Sequence, residues 1–127
     1  MGQWHDICRE NWKAAELAYD KELFRSCVSR CYYAAFSAVT SRLTSTKSYT
    51  FPKGRETPPH GKIPDLIRRH LTEMQEQDRH RMKAQIRRVY NNRLNADYRS
   101  RALVDQATAL LVRRDTWGIC QSLGLLK

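Results

Sequence analysis

Ser29-Arg30-Cys31-Tyr32-Tyr33-Ala34-Ala35-Phe36 lies inside an apolar-periodic run over residues 24–43 that no Gly or Pro interrupts. Phe24, Cys27/Val28, Cys31, Ala35, Ala38/Val39 and Leu43 recur every three to four residues, the period of a helix. Ala and Cys at the contact positions allow a second helix to approach closely, and the Tyr and Phe rings fill the space around them. Arg30 and Tyr33 share a turn with this face. A stiff helix that holds a cation and a phenol at its border suits a phosphate-containing ligand.

Outward from this run, the pattern predicts more helices and no strand. A first helix is expected over about residues 4–19, with Trp4, Ile7/Cys8, Trp12, Ala15 and Ala18/Tyr19 on one face. The short connection near Asp20 makes it an antiparallel hairpin with the second helix. Residues 45–61 carry Pro52, Pro58, Pro59, Gly54 and Gly61 among Ser and Thr, and read as a long flexible loop. Its Lys47, Lys53 and Arg55 would attract phosphates.

A third helix should start near Pro64, a favourable first-turn residue. Ile63, Leu66/Ile67, His70/Leu71 and Met74 follow its period, and the hydrophilic stretch 75–81 marks a bend or an exposed extension. The pattern resumes through Met82, Ile86, Val89/Tyr90 and Leu94, with Asn91 and Asn92 favouring a local break. A last helix over about 101–123 would turn Leu103/Val104, Ala107, Leu110/Leu111 and Trp117 inward. The expected architecture is all-α, an up-and-down bundle of four to five helices in a single domain spanning 1–127.

The chain has 127 residues and a net charge of +10. Residues 53–101 hold 13 Lys and Arg against 6 Asp and Glu, which is seven of those ten charges. Such a concentration draws polyanions through counterion release. Nucleic acid or an acidic protein is one reading, and a solvated basic surface is the other. Arg79, Arg81, Lys83, Arg87 and Arg88 form the candidate RNA-contact face. Arg87 with Lys83 and Tyr90 would combine charge with a stacking ring, which suits unpaired rather than duplex RNA.

No apolar run approaches the roughly 20 residues that span a bilayer, and no membrane role is expected. The N-terminal residues lack the basic-then-apolar order of a secretory signal, and the four cysteines lack framework spacing, so a reducing cytoplasm is the expected location. Four thiols have the chemistry of zinc ligands. Cys27 and Cys31 fall on the core stripe, however, without knuckle spacing, and buried thiols are common there. Neither cofactor nor metal is expected.

Arg93 and Asp97 stand at i and i+4 within Arg93-Leu94-Asn95-Ala96-Asp97-Tyr98, on one helix face. They read as a surface ion pair, or as an Arg that binds a phosphate while Asp97 fixes its guanidinium.

Taken in order, Arg30-Cys31-Tyr32-Tyr33-Ala34-Ala35-Phe36, then His60-Gly61, then Arg93 to Tyr98 resembles the HEPN domain superfamily. The likeness is greatest to the small stand-alone bacterial and archaeal branch with an R-x-Y-Y-A-x-F run on the second helix. It implies an up-and-down helical bundle, usually a homodimer. Many members are metal-independent ribonucleases of toxin–antitoxin, abortive-infection and CRISPR-linked antiviral defence systems. Small members are often encoded beside a nucleotidyltransferase antitoxin. Where such a transferase adenylylates a Tyr next to the active site, the resemblance points to Tyr98.

The chain departs from that pattern at one place. Catalytic members carry Arg, four to six residues, then His; no His follows Arg93. Arg55 and His60 fit the spacing literally, but two prolines put them in the loop. RNA cleavage without a metal needs a group to take the 2′-hydroxyl proton and a cation to stabilise the phosphorane. Arg93 fits the second task. His60 and Tyr98 are the candidates for proton transfer, with Asp97 orienting Arg93 and Arg30 or Tyr33 in support. The alternatives are an inactive module that binds RNA or a protein, and an assembly subunit of a larger defence complex that uses its Trp-rich faces.

Overall fold

The computed structural model describes residues 2–126, and its order of elements is α1 (Gly2–Asp20), α2 (Phe24–Thr44), a 3₁₀ turn (His60–Lys62), α3 (Ile63–His70), α4 (Glu76–Tyr98) and α5 (Gln106–Ser122). No strand occurs among the described residues, so the expected all-helical class is what the chain adopts. No described helix is long and apolar enough to cross a membrane.

The α1–α2 connection is as short as its sequence predicts. Glu22 takes the left-handed conformation at φ 60°. Its amide donates to the Tyr19 carbonyl and the Leu23 amide donates to the Ala18 carbonyl, which closes the helix end as a Schellman motif. Gly124 ends α5 in the same way at φ 80°, with amide bonds from Gly124 to Gln121 and from Leu125 to Cys120. The same backbone turn is thus built once on Gly and once on Glu.

Helix α2 is the axis of the bundle and packs on α1, α3, α4 and α5. Every residue over 34–41 is buried, so this helix is covered all round. Small side chains at Ala34, Ala35, Ser37 and Ala38 make the close approach possible. Cys8 and Cys120 meet across α1 and α5 with sulfurs 3.7 Å apart, and all four cysteines are buried free thiols.

Four expectations are corrected. The break anticipated at Asn91 and Asn92 does not exist: α4 runs unbroken for 23 residues. Asn92 instead bonds back to the Arg88 carbonyl, within its own helix (2.8 Å). The interruption falls earlier, between His70 and Glu76, where buried Leu71 anchors a turn closed by the Met74 amide on the Leu71 carbonyl. Helix α5 starts at Gln106 rather than near residue 101, because the Asp105 carboxylate caps it by accepting from the Thr108 amide at 3.0 Å.

The inward face of α5 also differs. Ala109, Val112, Thr116, Ile119 and Cys120 are buried, whereas Leu103, Ala107, Leu110, Leu111 and Trp117 face out. The stripe turned to α2 is the one that recurs at three- and four-residue spacing from Ala109 to Cys120. The Cys120 thiol lies 3.8 Å from the Ala34 carbonyl, a separation that a Leu at the contact would not permit.

The segment between α2 and the 3₁₀ turn is tied to α3. Tyr49 packs edge-on against Phe51 and His70, and the Ser48 hydroxyl is 2.8 Å from His70 Nδ1. Pro58 is buried. The consequence for the site is that His60, at the end of this segment, is delivered against α2.

Candidate active site

The second half of α4 lies against the first half of α2, and the two helices bring their polar borders together. Arg93 is 9% exposed, the only Arg or Lys among the buried residues described. Its Nε donates to Asp97 Oδ2 at 3.0 Å, and its Nη2 donates to the Tyr33 hydroxyl at 2.8 Å and the Tyr98 hydroxyl at 3.3 Å. The rings of Tyr32, Tyr33 and Tyr98 surround the guanidinium carbon with centroids 5.2–5.4 Å away. This cage combines hydrogen bonds with cation–π attraction, which strengthens as water is removed.

Burial works against the Arg93 charge, but the phenol oxygens of Tyr33 and Tyr98 and the Asp97 carboxylate outweigh it, so its pKa rises above the ordinary value. The cation is permanent. Among the described residues Nη1 has no hydrogen-bond partner, which leaves two N–H donors for an anion. Asp97 also accepts from the Ser29 hydroxyl at 3.2 Å, which ties the carboxylate to α2.

His60 forms the next wall. It stacks on Phe36 with centroids 4.3 Å apart, and its Nδ1 hydrogen-bonds the Tyr32 hydroxyl. Burial, then the positive charges of Arg93 and Arg55, lower its pKa below the usual imidazole value. The ring is therefore neutral at pH 7, with Nε2 not engaged by Tyr32. Burial pushes the Tyr32 phenol well above its usual range, against the opposing pull of Arg93, so Tyr32 stays protonated.

Arg25 has no counterpart in the sequence reading. Its guanidinium donates to the carbonyls of Asn95, Ala96, Arg99, Ser100 and Ala102 at 2.6–3.2 Å. These include carbonyls that the last turn of a helix leaves without partners. Arg25 thus closes the end of α4 from α2 and fixes the turn that carries Asp97 and Tyr98. Nothing local in the sequence signals this, because its partners are 70–77 residues away.

The family model for the HEPN domain matches residues 1–114 of this chain. The chain belongs to the HEPN domain family. No curated protein matches it at a significant level.

Seen as a HEPN domain, the chain gathers some of the anticipated site residues and disperses others. Arg93, Asp97, Tyr98, Tyr33 and His60 come together around one point. Arg30 does not join them: it is exposed and donates to the Asn11 side chain of α1 at 3.1 Å. Tyr98 is 69% exposed, so its phenol borders both Arg93 and solvent.

Along α4 the basic residues have different fates. Arg81 pairs with Asp78 at 2.8 Å, Arg88 grips Asp115 through two 2.9 Å bonds, and Arg79 donates to the Arg68 carbonyl. Lys83 lines an open groove between α3 and α4 with Arg68, Arg79 and His80, and Arg87 is exposed beside Tyr90. Among the described residues, no three His, Cys, Asp or Glu side chains are grouped to hold a metal ion.

Proposed function

We propose that this HEPN protein is an RNA-directed, metal-independent endoribonuclease with a phosphate held on Arg93. The observation that carries the reading is the caged guanidinium with one nitrogen left over, between a neutral His60 and an exposed Tyr98. Three tyrosines fix Arg93 before any substrate arrives, and preorganised charge in a water-poor site is the largest contribution that a protein makes to phosphoryl chemistry.

In this mechanism His60, with its Nδ1–H donating to the Tyr32 oxygen, takes the proton of the ribose 2′-hydroxyl on Nε2, and the 2′ oxygen attacks phosphorus. Arg93 stabilises the equatorial oxygens of the phosphorane, and the Tyr98 hydroxyl gives its proton to the departing 5′ oxygen. The products are a 2′,3′-cyclic phosphate and a 5′-hydroxyl end. Tyr33 and Asp97 orient Arg93. Lys83 and Arg87, unpaired among the described residues, are the first cations of the RNA face, and Arg79, Arg81 and Arg88 join it by exchanging their protein partners for phosphates. The test is cleavage of single-stranded RNA in excess chelator. Arg93→Ala should abolish it, and loss of cleavage on removing divalent ions would refute the mechanism.

A second reading, a binding or assembly subunit without catalysis, is favoured by two features. No His follows Arg93 in the chain. Trp12 and Trp117 pack at 5.7 Å and, with Leu110, Arg113 and Arg114, line a shallow groove of about 280 Å³ on the α1–α5 face. On this reading the groove seats a second copy, a nucleotidyltransferase antitoxin or a defence complex. Salt-sensitive RNA affinity without cleavage, together with a dimer mass lost in Trp117→Glu, would establish it. The toxin or defence role and the adenylylation of Tyr98 rest on the HEPN resemblance. Mass spectrometry after incubation with a cognate transferase and ATP tests the latter.

A further inference from the structure

One cavity adjoins the Arg93 cage and, apart from its wall residue His60, takes no part in the chemistry above. Its volume is about 120 Å³, and its walls are Tyr32, His60, Ile63, Pro64, Ile86 and Tyr90. Gly61, Arg87 and Asn91, all exposed, also line it. Sites that enclose a whole small molecule are typically ~300–1,000 Å³. This cavity therefore fits one flat ring of a larger ligand whose remainder lies outside.

The walls have the chemistry of a ring site. Tyr32 and Tyr90 pack against each other with centroids 5.5 Å apart, and the His60 ring lies 5.6 Å from Tyr32. Half-buried Pro64 and Tyr90 supply the accessible apolar surface, and buried Ile63 and Ile86 back it. Polar groups at the lining are few and directional: the Asn91 amide can donate and accept at once, and the Arg87 guanidinium can donate or stack. Asn and Arg are side chains that read base edges by paired hydrogen bonds. Arg87 and Asn91 are one turn apart on α4.

The cavity and the guanidinium share a wall. Arg93 lies 5.3 Å from the Tyr32 ring centre, and Tyr32 also lines the cavity. Tyr90 precedes Arg93 by three residues, about 5 Å along the helix axis. A wall of the cavity and the anion-binding side chain thus sit one helical turn apart on α4, neighbours on one face.

We propose that the cavity walled by Tyr32, His60, Pro64 and Tyr90 and edged by Arg87 and Asn91 receives the unpaired base of the nucleotide whose phosphate sits on Arg93. The assignment rests on the RNA reading and adds a base subsite to it. It makes the protein a reader of single strands, since a paired base cannot enter.

The test compares two short oligomers of equal length and charge by fluorescence anisotropy: a 2′-O-methyl RNA, which cannot be cleaved, and the same chain without bases. Base–aromatic stacking predicts that the abasic oligomer binds about ten- to hundredfold more weakly. Tyr90→Leu, and Asn91→Trp at the exposed edge, should lower RNA affinity toward the abasic value and leave abasic binding unchanged. Asn91→Trp removes no core atom, so it remains informative if Tyr90→Leu unfolds. Equal affinity for the two oligomers, or a difference that survives in the folded variants, overturns the base subsite while leaving phosphate binding intact. If neither oligomer binds, the RNA reading fails and the subsite with it.

Discussion

Arg88 and Arg93 stand five residues apart on α4, each bonded to an aspartate, yet their surroundings are opposite. The Arg88 side chain is 57% exposed and is held by two parallel bonds to Asp115 across to α5. Its charge is matched by a bidentate carboxylate and screened by water. The Arg93 side chain is 11% exposed, and Asp97 engages only its Nε. Two phenols take Nη2 and nothing among the described residues takes Nη1. What makes one of them a candidate for chemistry is the enclosure together with the nitrogen left unpaired; charge and an aspartate are common to both.

The sharpest way to break this contrast is to exchange each Arg for Lys. Lysine keeps the charge and loses the planar fork. Arg93→Lys should lower RNA cleavage on the order of 100-fold, the scale of losing one preorganised donor, whereas Arg88→Lys should change it less than about threefold. Equal losses at the two sites in a cleavage assay would show that enclosure is irrelevant.

Arg25→Ala comes next. It strips partners from the end of α4 and should cost about 2 kcal/mol in chemical denaturation. The cleavage rate of the folded variant should fall as well, because Asp97 and Tyr98 lose their fixed turn. Arg25→Lys should restore stability only in part, since one ammonium cannot serve five carbonyls.

Glu22→Gly probes the two Schellman ends. A non-glycine residue in the left-handed region costs roughly 1–2 kcal/mol, of which the looser unfolded chain returns a part. The variant should gain about 0.5–1 kcal/mol, while Gly124→Ala should lose a similar amount. Identical melting temperatures for Glu22→Gly and the parent would contradict the strain.

The smallest effect concerns pH. The His60 pKa is lowered in the folded state, so the unfolded chain binds the proton more readily. Its contribution to stability is complete above the unfolded value of about 6.5 and is lost as pH falls through the lower folded value. Against His60→Gln, the parent should lose more of its melting temperature between pH 7.5 and pH 5. A parallel decline would show that His60 is not held neutral.

Much of the frame is legible in the chain. The 24–43 period, the short hairpin and the Pro64 start all correspond to helices at those places, and the Arg93–Asp97 spacing predicts their pairing. What the spacing leaves undecided is whether the pair lies in water or in a cage, since Tyr33 is 60 residues away from Arg93. Helix α5 shows the limit most plainly. It carries two apolar stripes of similar hydrophobicity, and contact with α2 decides which one is buried.

From the amino-acid order alone follow the helical class, the short connection between the first two helices, and the i,i+4 partner of Arg93. These depend on local periodicity and on side chains one turn apart. The tertiary structure alone decides that Tyr33 and Tyr98 share a nitrogen of Arg93, that Arg30 turns away toward Asn11, that His60 stacks on Phe36, and that Arg25 closes α4. Apart from the Tyr98 bond, each of these joins residues far apart in the chain, and their meeting is set by how closely α2 lets its neighbours approach.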